Sequence, residues 1–295
     1  MRIFLTGSTG FIGTQIALEL IKSGHQVLGM TRSESGARAL AEMEAQAHQG
    51  NIEDLQSLQR GASECDAVIH TAFDHNFANF AENCEKDRRA IIALGTTLEG
   101  TNRPLVITSS TAMGSAVPGQ KALEDFVNPD HPNPRVASEL AGLELSQRGV
   151  NVSVMRLSQI HDTRKQGLVT DLVELARKTG VSAYIEDTFN SWSATHIKDT
   201  ARLFCLALEK GEPGSRYHAT AEEAISFKSV AQTIAQILGL AVVALRAEEA
   251  LAHFGWLTPF VSKDMSASSA KTRERLHWSP DGPTLLTDLK NMVHA

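Results

Sequence analysis

Tyrosine is nearly absent: the 295 residues hold two, Tyr184 and Tyr217. Cysteine is almost as scarce. The three present, Cys65, Cys84 and Cys205, are odd in number and form no Cys-x-x-Cys pair. That argues against a disulfide framework or a zinc knuckle and suits a reducing cytoplasm. No apolar stretch approaches the ~18 residues that cross a bilayer. The opening "MRIFLTGSTGFIG" has no sustained apolar core and no small-residue cleavage site, so neither a signal peptide nor a membrane partner is expected. A basic run is also missing. With 28 Lys and Arg against 34 Asp and Glu the formal net charge is −6, and nucleic acid, which needs clustered cations, is not an expected partner. No two of the eleven histidines stand at i,i+4 with an acidic residue beside them in the manner of a zinc helix, so no metal is expected. There is no internal repeat.

What is present is an alternation. "RIFLT" (residues 2–6) is a short buried-strand pattern that stops at Gly7. A helix follows from near Phe11, its apolar residues Ile12, Ile16, Leu20 and Ile21 at helical spacing, and "QVLGMT" (26–31) is the next strand. Further strands are expected at 47–51, 67–73, 103–110 and 151–158. Helices are expected at 83–98 and from Pro134, where Asn133 could cap, to Gly149. Strands and helices of these lengths in turn predict a doubly wound parallel α/β sheet of Rossmann type. Beyond residue 160 the pattern loosens. Helices are expected at 168–179, 198–211, after Ser226 and near the end, with strands at 191–197 and 241–245. The chain therefore divides into a dinucleotide-binding part, 1–160, and a smaller mixed α/β substrate lobe, 161–295. It is expected to return to the first part around 191–220 and to form one structural unit.

The loop "TGSTGFIG" carries Gly7, Gly10 and Gly13 spaced Gly-x-x-Gly-x-x-Gly. The first allows a sharp turn, the second lets backbone approach a pyrophosphate, and the third lets helix pack on strand. Thr9, Phe11 and Ile12 fall beside the free amides of a helix N-terminus, where an anion is favoured. With a strand before and a helix after, the motif predicts a bound dinucleotide. The second strand ends in "GMTRSES". Arg32, flanked by Thr31 and Ser33, suits a 2′-phosphate and so NADP over NAD, whereas Glu34 turned inward would suit NAD.

The fingerprint together with "AVIHTAF", "LVITSSTAMG", "VMRLSQIH", "SWSATHIKDTARLFCLALE" and "TRERLHWSP" resembles the short-chain dehydrogenase/reductase superfamily, in its extended and atypical NAD-dependent epimerase/dehydratase-like branch. The likeness runs over almost the whole chain. It implies that Asn51 and Ile52 lie at the adenine, with Asn51 reaching the amino group. It implies that Thr71, Ala72 and Phe73 run beneath the cofactor, that Thr108 lines it from the fifth strand, and that Leu157 and Ser158, with Ile160, pass near the nicotinamide. Ser109 falls at the family's catalytic serine, with Ser110 beside it. A homodimer through sheet-flanking helices is a family expectation.

The family's Tyr-x-x-x-Lys pair has no match. Its positions hold Arg135 and Glu139, in "RVASE". Two readings stand: a surface i,i+4 ion pair, or an Arg135 that turns inward and holds a substrate oxygen. Arginine cannot donate the proton, since its pKa exceeds ~12. Tyr184, His131, His161, His196 or water held by Ser109 would have to, and Tyr184 is the expected donor; His75 lines the pocket. The aromatic residues Trp192, Phe254, Trp256, Phe260 and Trp278 are expected in the lobe core. The expected function is an oxidoreductase moving hydride to or from a carbonyl or alcohol of a small, largely apolar or aromatic molecule. A cofactor-binding sensor and a non-redox isomerase, lyase or cyclase are the alternatives that the missing pair keeps open.

Overall fold

The structure is a computed structural model describing residues 1–117 and 119–293. β1 (Arg2–Thr6) leads through α1 (Phe11–Lys22) to β2 (Gln26–Thr31). Then come α2 (Glu34–Glu42), β3 (Gln46–Gln49), α3 (Leu55–Ser63), β4 (Ala67–His70) and α4 (Phe80–Leu98). β5 (Leu105–Ser110), α5 (Val136–Gln147) and β6 (Val152–Leu157) follow. One later strand joins them, giving a seven-stranded sheet in which every neighbouring pair is parallel, ordered β3-β2-β1-β4-β5-β6 with Arg216–Ala219 outermost. The order reverses between β1 and β4. A crevice opens there at the strands' carboxyl ends, where open α/β sheets take ligands.

Both faces of the sheet are covered, so its central strands are apolar on both sides, while β3 at the edge, Gln-Ala-His-Gln, is mostly exposed. Alternation along β1 sends Ile3 and Leu5 to one face with Ile16, Leu20 and Phe204. Phe4 goes to the other face with Leu58, Ile91, Leu94, Ile107 and Leu145. Tyr217 is fully buried on the first face and its hydroxyl accepts the Glu212 N–H at 2.9 Å. That makes it a packing residue.

The remainder is β7 (Gln159–His161), α6 (Leu168–Thr179), β8 (Val181–Ile185), β9 (Ser191–His196), α7 (Ile197–Lys210), β10 (Arg216–Ala219), β11 (Glu222–Ser226), α8 (Phe227–Leu238) and β12 (Ala241–Leu245). The short helices α9 (Ala250–Phe254), α10 (Thr258–Val261), α11 (Ala270–Leu276) and α12 (Leu285–Lys290) complete it. β11-β9-β7 and β12-β8 form two small sheets. Trp192, Phe254 and Phe227 sit in their shared core and Phe260 packs against it. Trp278 joins the core of the main sheet instead, and Trp256 is exposed.

Several boundaries shift by one to three residues, and two of the shifts bear on the site. β4 stops at His70 rather than running to residue 73. Thr71 and Ala72 leave the ladder because their N–H groups turn to the Thr6 hydroxyl. α5 begins at Val136, since the Asn133 side chain accepts the Arg135 N–H and closes a turn ahead of the helix rather than capping it.

Candidate active site

The glycine loop is built as a cradle. Gly7 has φ 68°, and a Cβ there would fall 2.8 Å from both the Ala72 nitrogen and Thr71 Oγ1. A Cβ on Gly13 would fall 2.0 Å from the Gly7 carbonyl oxygen. No side chain caps α1, whose N-cap is Gly10. The first-turn amides of Phe11, Ile12 and Gly13 are therefore left for an outside acceptor. Thr9 is exposed at the loop's tip, and Phe11 and Ile12 are half-buried. This donor set fits a dinucleotide's pyrophosphate. At the end of β2, Ser33 caps α2 through Gly36 N–H. Glu34 is exposed in the first turn of that helix, where its charge opposes the helix dipole favourably. Arg32 is exposed and makes no ion pair among the described residues. Asn51 is committed locally: its Oδ1 accepts the Glu53 and Asp54 N–H groups at 2.8 and 3.1 Å. The expected acceptance of an adenine amino proton is therefore corrected, and only its Nδ2 remains as a donor. Ile52 packs on the core beside it.

A buried polar chain runs from this cradle to Arg135 at the head of α5. Thr6 Oγ1 accepts the Thr71 and Ala72 N–H groups at 3.2 Å each, so its own proton goes to His70 Nδ1, 2.8 Å away. That fixes His70 with its proton on Nε2, donated to Asp87 Oδ1 at 3.0 Å. Asp87 Oδ2 accepts from Arg135 at 2.7 Å and from Ser138 at 2.6 Å. Burial pushes the Asp87 carboxyl up, but Arg135, His70 and Ser138 outweigh it and hold it below the usual range. Arg135 also donates to the Thr108 carbonyl at 2.9 Å and lies over the Phe73 ring, 4.1 Å from its centre. Thr108 Oγ1 donates to the His70 carbonyl. Arg135 is thus a buried strut whose charge Asp87 already balances. The surface i,i+4 pairing with Glu139 is corrected.

Glu139 is inside as well. It is fully buried and grips Arg156 through two bonds, 2.8 and 3.1 Å, with Arg216 at 3.2 Å. Burial raises its carboxyl, and Arg156 and Arg216 more than reverse that. Arg156, itself fully buried, donates to the carbonyls of Leu123, Glu124 and Phe126 and to His218 Nε2, and so ties β6 to the segment that follows β5. Ser109 is cross-strand from Arg156. Its hydroxyl lies beside Glu139 and helps keep that carboxylate ionised, yet no hydrogen bond of good geometry satisfies its buried oxygen. Ser110 is half-buried one residue on, and its oxygen accepts the Ala112 N–H, leaving its own proton free.

Other expected residues are further from this centre or already engaged. Ser158 Oγ donates to the Ala219 carbonyl at 2.5 Å. Leu157 packs on the main core. Tyr184 lies in the outer two-stranded sheet with Lys228 5.0 Å over its ring. Among the described residues no hydrogen bond ties it to Ser109 or Arg135. Two groups at the cleft mouth have a larger part than the sequence suggested. His75 packs edge-on to Phe73, 5.2 Å between ring centres, and burial together with the charges of Lys165 and Arg135 pushes its imidazole below the usual range. Lys165, unmarked by any motif, reaches across from the turn after β7 to within 5.7 Å of the Phe11 ring centre. Away from the cleft, the fold brings His25, Cys205 and Glu209 within 4.8 Å of one another, a grouping that spacing alone does not reveal. His25 Nε2 is hydrogen-bonded to Glu209 there at 2.8 Å.

The NAD dependent epimerase/dehydratase family matches residues 3–219. The chain belongs to that family. Its members are NAD(P)-dependent epimerases, dehydratases and reductases. A Schizosaccharomyces pombe (strain 972) protein described as "Uncharacterized protein C2A9.02" is 44% identical over 290 residues, covering 98% of both chains. A Dictyostelium discoideum sterol-4-alpha-carboxylate 3-dehydrogenase, decarboxylating, is 27% identical across 77% of this chain and 73% of its own. Among solved structures, dTDP-glucose 4,6-dehydratase (DesIV) from Streptomyces venezuelae, with NAD and TYD bound, superimposes with a TM-score of 0.76. It is 18% identical and covers 99% of this chain and 96% of that one. At that identity the likeness speaks for the fold, a family Rossmann sheet with a small mixed lobe.

Proposed function

We propose that the chain is an NADP-linked oxidoreductase acting on a carbonyl, or the matching alcohol, of a small, largely apolar or aromatic molecule. The observation that carries the reading is the glycine cradle, with two glycines that exclude any side chain and an uncapped helix above them. The loop amides and Thr9, Phe11 and Ile12 would hold the pyrophosphate. Arg32, free of ion pairs among the described residues, would take the 2′-phosphate. Bound there, the nicotinamide would supply or accept hydride. The protein's part is then positional. Ser110, half-buried at the end of β5, holds the reacting oxygen, and Ser109, buried on the strand's other side, lies against Glu139. Arg135, held by Asp87 and the Thr108 carbonyl, fixes the wall of the site. Water at the rim moves the proton, with His75 as the titratable side chain beside it. The protein works in the cytoplasm, and a homodimer is in keeping with the family.

One observation favours a second reading. Both residues standing in for the acid–base pair are spent in buried ion pairs, which suits an NADP-binding sensor without turnover. The two are separated by incubating the protein with NADPH and a panel of apolar and aromatic aldehydes and ketones while following NADPH absorbance. The enzyme reading expects steady oxidation with at least one carbonyl and a drop of about tenfold or more in Ser110→Ala. Bound NADPH that no carbonyl consumes would reject it in favour of the sensor.

A further inference from the structure

The family supplies a lysine from α5 to the cofactor; here that place holds Glu139, turned into the interior by Arg156. The cations around the cleft differ in whether a carboxylate balances them. Arg135 is balanced by Asp87 at 2.7 Å, and Arg156 and Arg216 share Glu139 at 2.8 and 3.2 Å. Lys165 is left. It is exposed and, among the described residues, has no carboxylate within ion-pair distance. Asp171, in the first turn of α6, feels its charge without pairing.

Its position is built. Asp162 N–H donates to the Lys165 carbonyl at 2.8 Å, and the Asp162 carboxylate accepts the N–H groups of Arg164 and Lys165 at 2.7 and 2.9 Å. The Gln166 amide donates to the Asp162 carbonyl, and the Val293 N–H to the Thr163 carbonyl. The turn is thus closed on itself and pinned to the chain's end. It presents the Lys165 ammonium above Phe11, the first residue of α1, whose amide adjoins the glycine cradle. The charge also reaches His75 on the opposite rim. An ammonium 5.7 Å from the ring of the first residue of an uncapped helix is near enough to supply a cation to an anion held by that helix's free amides.

We propose that Lys165 is a cofactor-binding cation of this protein, contacting the dinucleotide's pyrophosphate from the lobe side. The proposal rests on the NADP reading above. The purified full chain and its Lys165→Ala and Lys165→Arg variants are titrated calorimetrically with NADP, ADP-ribose and 2′-AMP, and melted to check folding. ADP-ribose carries the pyrophosphate without the nicotinamide; 2′-AMP carries the adenosine and 2′-phosphate without the pyrophosphate. Losing one charged contact should weaken NADP and ADP-ribose by about tenfold or more. Binding of 2′-AMP and the melting temperature should stay unchanged, and Lys165→Arg should recover most of the affinity. NADP and ADP-ribose affinities unchanged in Lys165→Ala overturn the assignment while leaving the cofactor reading intact. An equal loss for 2′-AMP also overturns it, by showing a diffuse field in place of a contact. A parent chain that binds none of the three sinks both readings together.

Discussion

Arg135, Glu139, Asp87, Arg156 and His218 are ionisable residues of which four are fully or almost fully buried, and each has a partner. Burial of an unpaired charge would be prohibitive, and removing one member of such a pair costs about 3–5 kcal/mol. The network therefore constrains the site strongly even if it adds little net stability. His218 gives a direct way to see it. Its Nδ1 donates to the Ser268 carbonyl at 2.7 Å while Nε2 faces Arg156 at 3.2 Å. Burial first, then the Arg156 charge, lowers its pKa from 6.5 to about 3, against smaller opposing effects of Glu139 and Glu223. The unfolded chain thus binds a proton between those values that the folded one refuses. The stability involved is fully present above pH 6.5 and is lost as pH falls toward 3, by at most about 1.4 kcal/mol per pH unit. Urea unfolding at several pH values in that window should show a shallower dependence in His218→Gln, by up to one proton. Equal slopes would mean that His218 is protonated in the fold.

At the level of elements, α1 and its loop carry the most exacting geometry. Gly13→Ala would drive a methyl onto the Gly7 carbonyl, a backbone atom already held by the Gly10 N–H at 2.9 Å. Overpacking of this kind costs about 1–3 kcal/mol. Thermal melting and nucleotide titration should both register it, as a lower melting point and a large loss of affinity. A variant with parental values in both would show that helix and strand can separate there freely. This element was legible in the sequence because glycine spacing reports backbone geometry directly. The long periodic segments were legible too: α6 and β12 fall at 168–179 and 241–245, as the pattern indicates. α2 and α3 were not, since one buried residue, Leu40, marks the first and polar residues fill much of the second. Asp87 left a signal that went unread. It lies on the apolar stripe of α4 with Ala90, Ile91 and Leu94, where a carboxylate needs a buried partner. Lys165 left none, because its role depends on where a turn of the lobe comes to rest.

Across the whole molecule, the sheet order places β1 and β4 side by side, and everything that matters gathers where their carboxyl ends part. The Thr6–His70–Asp87–Arg135 chain crosses that line from the glycine loop of β1 to the head of α5. The lobe approaches from above with Lys165. Arg135 is part of the scaffold, while the cradle offers open backbone donors and no obstructing side chain. The account therefore stands on nucleotide capture more than on any catalytic group. Calorimetric titration of the full chain with NADPH and, separately, NADH tests it most directly. Saturable binding of NADPH, tighter than that of NADH, is the predicted result; heat from neither coenzyme at millimolar concentration would contradict it.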